Sequence, residues 1–273
     1  MSIPIWQIDA FADRPFTGNP AAICILENYP SDGWLQMVAA EMNLSETSFI
    51  VPAGEPNSYH LRWFTPTTEV DLCGHATLAA SHILIEQGRA DVNEPIRFQT
   101  LSGELSCTRS GSQITLDFPA TQEQQDVDAS IAQSLNAALG TGDANVKMLQ
   151  TKFDLAVIYE EADTVENLRP DFNALQQIQT RGVMVTAPSQ RPDIDFVSRF
   201  FAPRCGINED PVTGSAHCFL APFWASRLSK TSLVGHQASP RGGTVHCQLA
   251  GDRVKLSGKA VTVTEGHLLV EPK

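Results

Sequence analysis

The chain has 273 residues, with 19 Lys and Arg against 31 Asp and Glu, and its formal charge of −12 opposes binding to a phosphate backbone. Hydrophobic residues make up 42% and charged ones 18%, an ordinary globular composition that argues against disorder. A chain of this length buries roughly three quarters of its unfolded surface, enough core for one large domain or two small ones without a disulfide or a structural metal.

The opening MSIPIWQIDAFADRPF has no basic stretch followed by an apolar run, and no apolar stretch approaches the roughly 18 residues of a membrane helix. The sequence therefore predicts a soluble, cytoplasmic protein with no membrane and no nucleic-acid partner. Cys24, Cys73, Cys107, Cys205, Cys218 and Cys247 are scattered without a CxxC pair, which fits reduced thiols. The seven histidines show neither HxH nor HExxH spacing, so no metal site is predicted.

In chain order, strand-like runs are expected at 3–8, 21–26, 47–51, 96–100, 114–118, 155–159, 183–186 and 261–263, many bounded by Gly, Pro or Asp. One helix is predicted over 33–43, where Trp34, Leu35, Val38 and Met42 fall at helical spacing behind Ser31 and Asp32 as caps. The polar stretch 120–128 reads as a linker. It predicts an N-terminal domain over 1–119, onto which a tail at about 264–273 packs back, and a C-terminal domain over 120–263.

The two halves carry an internal repeat. The first copy reads RWFTPTTEVDLCGHATLAASHILIEQG from Arg62, and the second reads RFFAPRCGINEDPVTGSAHCFLAPFWASRL from Arg199. Each opens with Arg, an aromatic, Phe, a small residue and Pro, and each reaches a Gly (Gly74, Gly214) with Glu five residues earlier (Glu69, Glu209) and Ala two later (Ala76, Ala216). Seven residues separate Pro66 from Gly74 and ten separate Pro203 from Gly214, so the second loop holds a three-residue insertion. Asp210 is placed in that inserted loop.

In each copy a Gly opens a small-residue helix. The first N–H groups of a helix have no intrahelical partner and carry partial positive charge, and a Gly there admits an anion close to the backbone. Two such helices aimed at one interdomain cleft would make an anion-tolerant pocket. Two tightly packed core helices are the alternative. Pro222 interrupts the second helix pattern and predicts a kink or break.

His75 follows Gly74 and Ser215 follows Gly214, so both side chains start at a helix entrance, as ligand contacts or as caps. Cys73 meets the helix dipole, which lowers a thiol pKa, or is a small buried residue. The second copy has Thr213 in its place. Glu46, in NLSETSF, lies near a strand start where a carboxylate can enter a cleft or remain a solvated turn residue.

The motifs DAFADRPFTGNPAA, EMNLSETSFI, RWFTPTTEVDLCGHATLAAS and NEDPVTGSAH, with the closing LSGKAVTVTEGHLL, resemble the PhzF family of phenazine-biosynthesis-like isomerases over essentially the whole chain. The resemblance implies an α+β, diaminopimelate epimerase-like fold. Its two pseudo-symmetric domains would each wrap a β-barrel-like sheet around a central helix, with the active site between them in a homodimer. It implies Glu46 as the group that shuttles a proton on a dihydro-hydroxyanthranilate ring, with His75 and Asp210 as further catalytic residues. Gly74, Gly214, Ser215, Cys73 and Thr213 would bind a small carboxylate substrate, and no cofactor is required. A carboxyl group whose pKa is raised by burial suits this task, because it can take a proton from one carbon and return it to another.

Cys73 departs from the phenazine enzyme, which has a small residue without a thiol there, and stands where epimerase relatives carry one of two catalytic cysteines. A Cys73-dependent epimerase or dehydratase of an amino or imino acid is therefore the second reading. A non-enzymatic binding or scaffold protein that keeps the cleft is the third.

Overall fold

The computed structural model of the protein describes residues 2–121, 125–142 and 146–271. Positions 122–124 of the expected linker and the last two residues of the expected tail lie outside the described residues. The chain divides into two compact units, Met1–Phe118 with Lys255–Lys273, and Pro119–Val254.

In the first unit, Ile3–Ala10 pairs antiparallel with Ala260–Leu268 on one side and with Asn19–Ile25 on the other. Asn19–Ile25 runs parallel to Glu46–Pro52, which pairs antiparallel with Ser58–Phe64. Ser58–Phe64 in turn runs parallel to Ile96–Thr100, and the sheet continues through Gly103–Ser110 to Gln113–Pro119 as antiparallel neighbours. Parallel neighbours need a crossover, and the two helices of the unit supply them: Asp32–Met42 links the first parallel pair and Gly74–Glu86 the second.

The helix Asp32–Met42 starts where predicted because Ser31 caps it, its Oγ accepting the Trp34 N–H at 3.4 Å. Trp34, Leu35, Val38 and Ala39 then face Phe49 and Phe64 in one core cluster. Asn43, left-handed at φ 50°, closes the helix, and three residues later Glu46 begins a strand. The helix Gly74–Glu86 is apolar or small almost all round, and Ala76, Leu78, Ala79, Ala80, Ile83 and Leu84 are wholly buried. Its helical shape comes from packing inside the sheet rather than from one amphipathic face.

The second unit repeats this order. Leu155–Ile158 runs parallel to Val183–Pro188, which pairs antiparallel with Phe196–Ala202. That strand runs parallel to Ser232–Gln237, which pairs antiparallel with Gly243–Ala250. Its second crossover is the helix Gly214–Leu228; of the kink or break expected at Pro222, the break does not occur, and the helix runs through that residue. The missing Pro222 N–H would leave the Cys218 carbonyl without its helical donor, and the Thr121 N–H fills that role at 2.9 Å.

The ladders make the duplication exact residue by residue. Thr47 pairs Phe64 as Val183 pairs Phe201, and Trp63 pairs Val70 as Phe200 pairs Asp210. Glu46 and Gly182, each one residue before those strand positions, are therefore equivalents, as are Val70 and Asp210. Asp210 consequently does not belong to the insertion, contrary to the expectation. The three extra residues are taken up earlier, by a 3₁₀ turn at Pro203–Cys205 closed by Gly206 at φ 84°.

The repeated Arg and Glu also acquire a shared meaning. Arg62 clasps Glu69 through Nε and Nη2 at 2.6 and 2.7 Å, and Arg199 clasps Glu209 at 2.7 and 2.9 Å. Both pairs are two-pronged ties between a long strand and the short strand after it. Arg199 also donates Nη1 to the carbonyls of Val165 and Leu168, which binds the first crossover to the sheet.

Candidate active site

In the first unit, the start of Glu46–Pro52 and the start of Gly74–Glu86 bring Glu46, Cys73 and His75 together. Glu46 Oε2 lies 3.1 Å from His75 Nε2, with the two side chains 15% and 6% exposed. The two atoms are close but lack the alignment of a hydrogen bond, and each is buried with no hydrogen-bond partner among the described residues. On the other edge of the ring, Nδ1 lies 3.2 Å from the Asn19 amide nitrogen and 3.5 Å from Cys73 Sγ. The imidazole is thus held at one edge and presented to a carboxylate at the other.

Burial works against a charge on His75, but its neighbours Cys73 and Glu46, one beside each ring nitrogen, outweigh it and hold the imidazole well above the ordinary 6.5. For Cys73 the order is reversed. Burial, and then the charge of Glu46, push the thiol up to about 11, so the lowered thiol pKa expected from the helix dipole is not found. The thiol is protonated and a weak base at neutral pH.

Ligand atoms of Glu46, Cys73 and His75 fall within 4.8 Å of one another. Within this group the imidazole turns Nε2 toward Glu46 and Nδ1 toward Cys73.

Asn19 is the residue that sequence reasoning left out of this group. It sits at 0% exposure at the start of Asn19–Ile25, preceded by Gly18 at φ 66°. A Cβ on Gly18 would meet the Ala10 carbonyl oxygen at 2.2 Å, so only glycine fits the turn that delivers Asn19 to His75. The signal was present in PFTGNP, as a glycine followed by a polar residue entering an apolar strand.

In the second unit, Thr213 precedes the helix Gly214–Leu228 as Cys73 precedes Gly74–Glu86, and neither side chain caps its helix. Thr213 Oγ1 donates to Asp210 Oδ2 at 2.5 Å instead. Gln237 spans the loop, its Oε1 accepting from the Thr213 N–H at 2.8 Å and its Nε2 donating to the Asp210 carbonyl at 2.7 Å. His217 adds a third restraint through Nδ1, 2.8 Å from the Thr213 carbonyl. Ser215 Oγ accepts from Arg181 Nη2 at 3.1 Å. The side chains of both helix entrances are thereby committed elsewhere, which leaves the first-turn N–H groups of Gly74 and Gly214 uncapped by them.

The α+β architecture and the duplicated helix-in-sheet unit define a protein of the diaminopimelate epimerase-like fold. A crystal structure of a phenazine biosynthesis protein of the PhzF family from Enterococcus faecalis matches it with a TM-score of 0.89 at 40% identity, over 99% of this chain and 100% of that one. A family model described as phenazine biosynthesis-like protein, PhzC-PhzF, matches residues 8–266. An uncharacterized isomerase of Pseudomonas aeruginosa is 49% identical over 268 residues, covering 98% of this chain and 99% of the relative. An uncharacterized isomerase of Halalkalibacterium halodurans is 46% identical over 270 residues, covering 99% and 100%. The chain belongs to the phenazine biosynthesis-like, PhzC-PhzF, protein family.

Proposed function

We propose that this isomerase of the phenazine biosynthesis-like family moves a proton between carbons of a small cyclic carboxylate, with Glu46 as the general base and then the general acid. One observation carries the reading: Glu46 Oε2 and His75 Nε2 are buried side by side with no hydrogen-bond partner among the described residues, a costly arrangement unless a substrate completes it. His75, held from behind by Asn19, supplies positive charge or a proton next to the carboxylate. A C–H flanked by a conjugating system and a carboxylate is acidic enough for such a base, and no cofactor takes part in the step.

In the same reading Gly74, Gly214, Ser215, Cys73 and Thr213 contact the substrate, and Asp210 acts with Glu46 and His75 on its polar groups. Helix N–H groups that the N-cap side chains of Cys73 and Thr213 leave uncapped are suited to hold a carboxylate. The alternative in which Cys73 is the base draws less support, since its thiol is raised to about 11 and its counterpart is Thr213.

The test is conversion in heavy water of dihydro-hydroxyanthranilate, diaminopimelate, proline and hydroxyproline isomers, followed by NMR and mass spectrometry. Isomerisation of a cyclic carboxylate supports the reading. Epimerisation of an amino acid at its α-carbon alone would replace it with the thiol chemistry.

A further inference from the structure

The position equivalent to Glu46 in the second unit is Gly182, and there the preceding residue, Arg181, occupies the start of the Gly214–Leu228 helix. Its guanidinium is fixed on all but one edge. Nε and Nη2 lie 2.8 and 2.5 Å from the two oxygens of Asp154, which is 3% exposed. The rings of Phe153 and Phe200 stand 5.3 and 5.9 Å from its central carbon. Gly182 makes this possible, because a Cβ there would meet the Phe200 ring at 2.2 Å.

A guanidinium is planar, and its donors are paired along two edges. Asp154 takes the edge formed by Nε and Nη2. The remaining N–H of Nη2 points to Ser215 Oγ at 3.1 Å, and one N–H of Nη1 runs parallel to it. Nη1 has no partner among the described residues, and the Arg181 side chain is 41% exposed. Asp210 is within electrostatic reach, with its Oδ2 accepting from Thr213.

Resting on the reading of this chain as an isomerase of a small cyclic carboxylate, we propose that Arg181 is a specificity-determining residue. Its Nη1–Nη2 edge, together with Ser215 Oγ, binds the substrate's carboxylate beside the uncapped start of the Gly214–Leu228 helix. Asp154 and the two rings pre-aim the fork, so little side-chain freedom is lost on binding. The carboxylate accepts from Nη1, and the Ser215 hydroxyl turns to donate to it.

The test compares cyclohex-1-ene-1-carboxylate with its carboxamide, two probes of one shape and different charge, by isothermal titration. Wild type should prefer the carboxylate at least tenfold, about the worth of one charge-assisted hydrogen bond. Arg181→Met strands Asp154, so it is paired with the double variant Arg181→Met with Asp154→Asn, which removes both charges. Either variant, once shown to be folded by its melting curve, should bring the preference below about threefold. Arg181→Lys folds without the fork and should give an intermediate ratio.

A preference unchanged in the double variant or in Arg181→Lys, or no preference in wild type, would overturn the assignment. Glu46→Gln should keep the wild-type preference. Proton exchange that survives in Glu46→Gln beside an intact Arg181-dependent preference would therefore count against the Glu46 chemistry alone, and exchange lost in Glu46→Gln without that preference would count against Arg181 alone.

Discussion

His75 Nε2 and Glu46 Oε2 face each other at 3.1 Å, and Asn19 braces the imidazole from its opposite edge. The pair joins the start of one strand to the start of the helix that the sheet encloses, so its charge state bears on stability as well as chemistry. The His75 pKa is raised above 6.5, so its contribution is fully present below that value and is lost as the pH rises through the raised one. Urea unfolding of wild type and His75→Gln across pH 6 to 10 should show the wild-type advantage shrinking toward alkaline pH. An advantage that grows with pH would show that the ring is neutral in the fold.

His217 should have the opposite pH dependence. It is wholly buried, and burial lowers its pKa to about 4 against an ordinary 6.5. The unfolded chain protonates first, so stability falls as the pH drops from 6.5 toward 4, by up to about 3 kcal/mol. His217→Asn keeps a donor near the Thr213 carbonyl and cannot take up that proton. Its unfolding free energy should vary less over this range than that of wild type.

The Arg199 and Glu209 pair is 7% and 12% exposed, and removing one partner leaves a buried charge. Arg199→Met should cost about 3–5 kcal/mol. The double variant with Glu209→Gln should recover a substantial part of that loss in chemical denaturation. Equal losses in both would mean that the carbonyls of Val165 and Leu168, rather than the charge, account for the effect.

Gly18→Ala tests the turn that carries Asn19. With φ at 66° and the Ala10 carbonyl oxygen 2.2 Å from a built Cβ, the loss should exceed about 1 kcal/mol. The His75 imidazole NMR signals should shift with it. An unperturbed ring in a folded variant would show that Asn19 reaches His75 without this glycine.

Much of this arrangement was legible in the sequence because the repeat preserves spacing. Arg62 with Glu69 and Arg199 with Glu209 recur around each Gly-led helix, and each expected apolar run falls on a strand, but the strands Ser58–Phe64, Phe196–Ala202, Ser232–Gln237 and Gly243–Ala250 were not among those runs. The differences between the halves were harder to read. The equal five-residue spacing from Glu69 to Gly74 and from Glu209 to Gly214 already aligns Asp210 with Val70 and puts the insertion before Glu209, a signal that the placement of Asp210 in the inserted loop passed over; the extra residues curl into the turn at Pro203–Cys205.

The partner of the C-terminal strand Ala260–Leu268 is Ile3–Ala10, and hydrophobic periodicity carries no record of so distant a pairing. Asn19 and Arg181 were missed for a related reason. Each gains its role from one contact across the fold, to His75 and to Ser215. Of the two readings of Cys73, the small buried residue is the one found, and burial raises its thiol instead of the helix dipole lowering it.

The most direct test of the central claim is solvent-deuterium incorporation into the substrate by wild type, Glu46→Gln and Cys73→Ser measured side by side. Removal of a general acid and base is expected to cost roughly 10²–10⁴-fold. The account predicts that loss for Glu46→Gln, with Cys73→Ser within about tenfold of wild type. Exchange that survives in Glu46→Gln and vanishes in Cys73→Ser would contradict it.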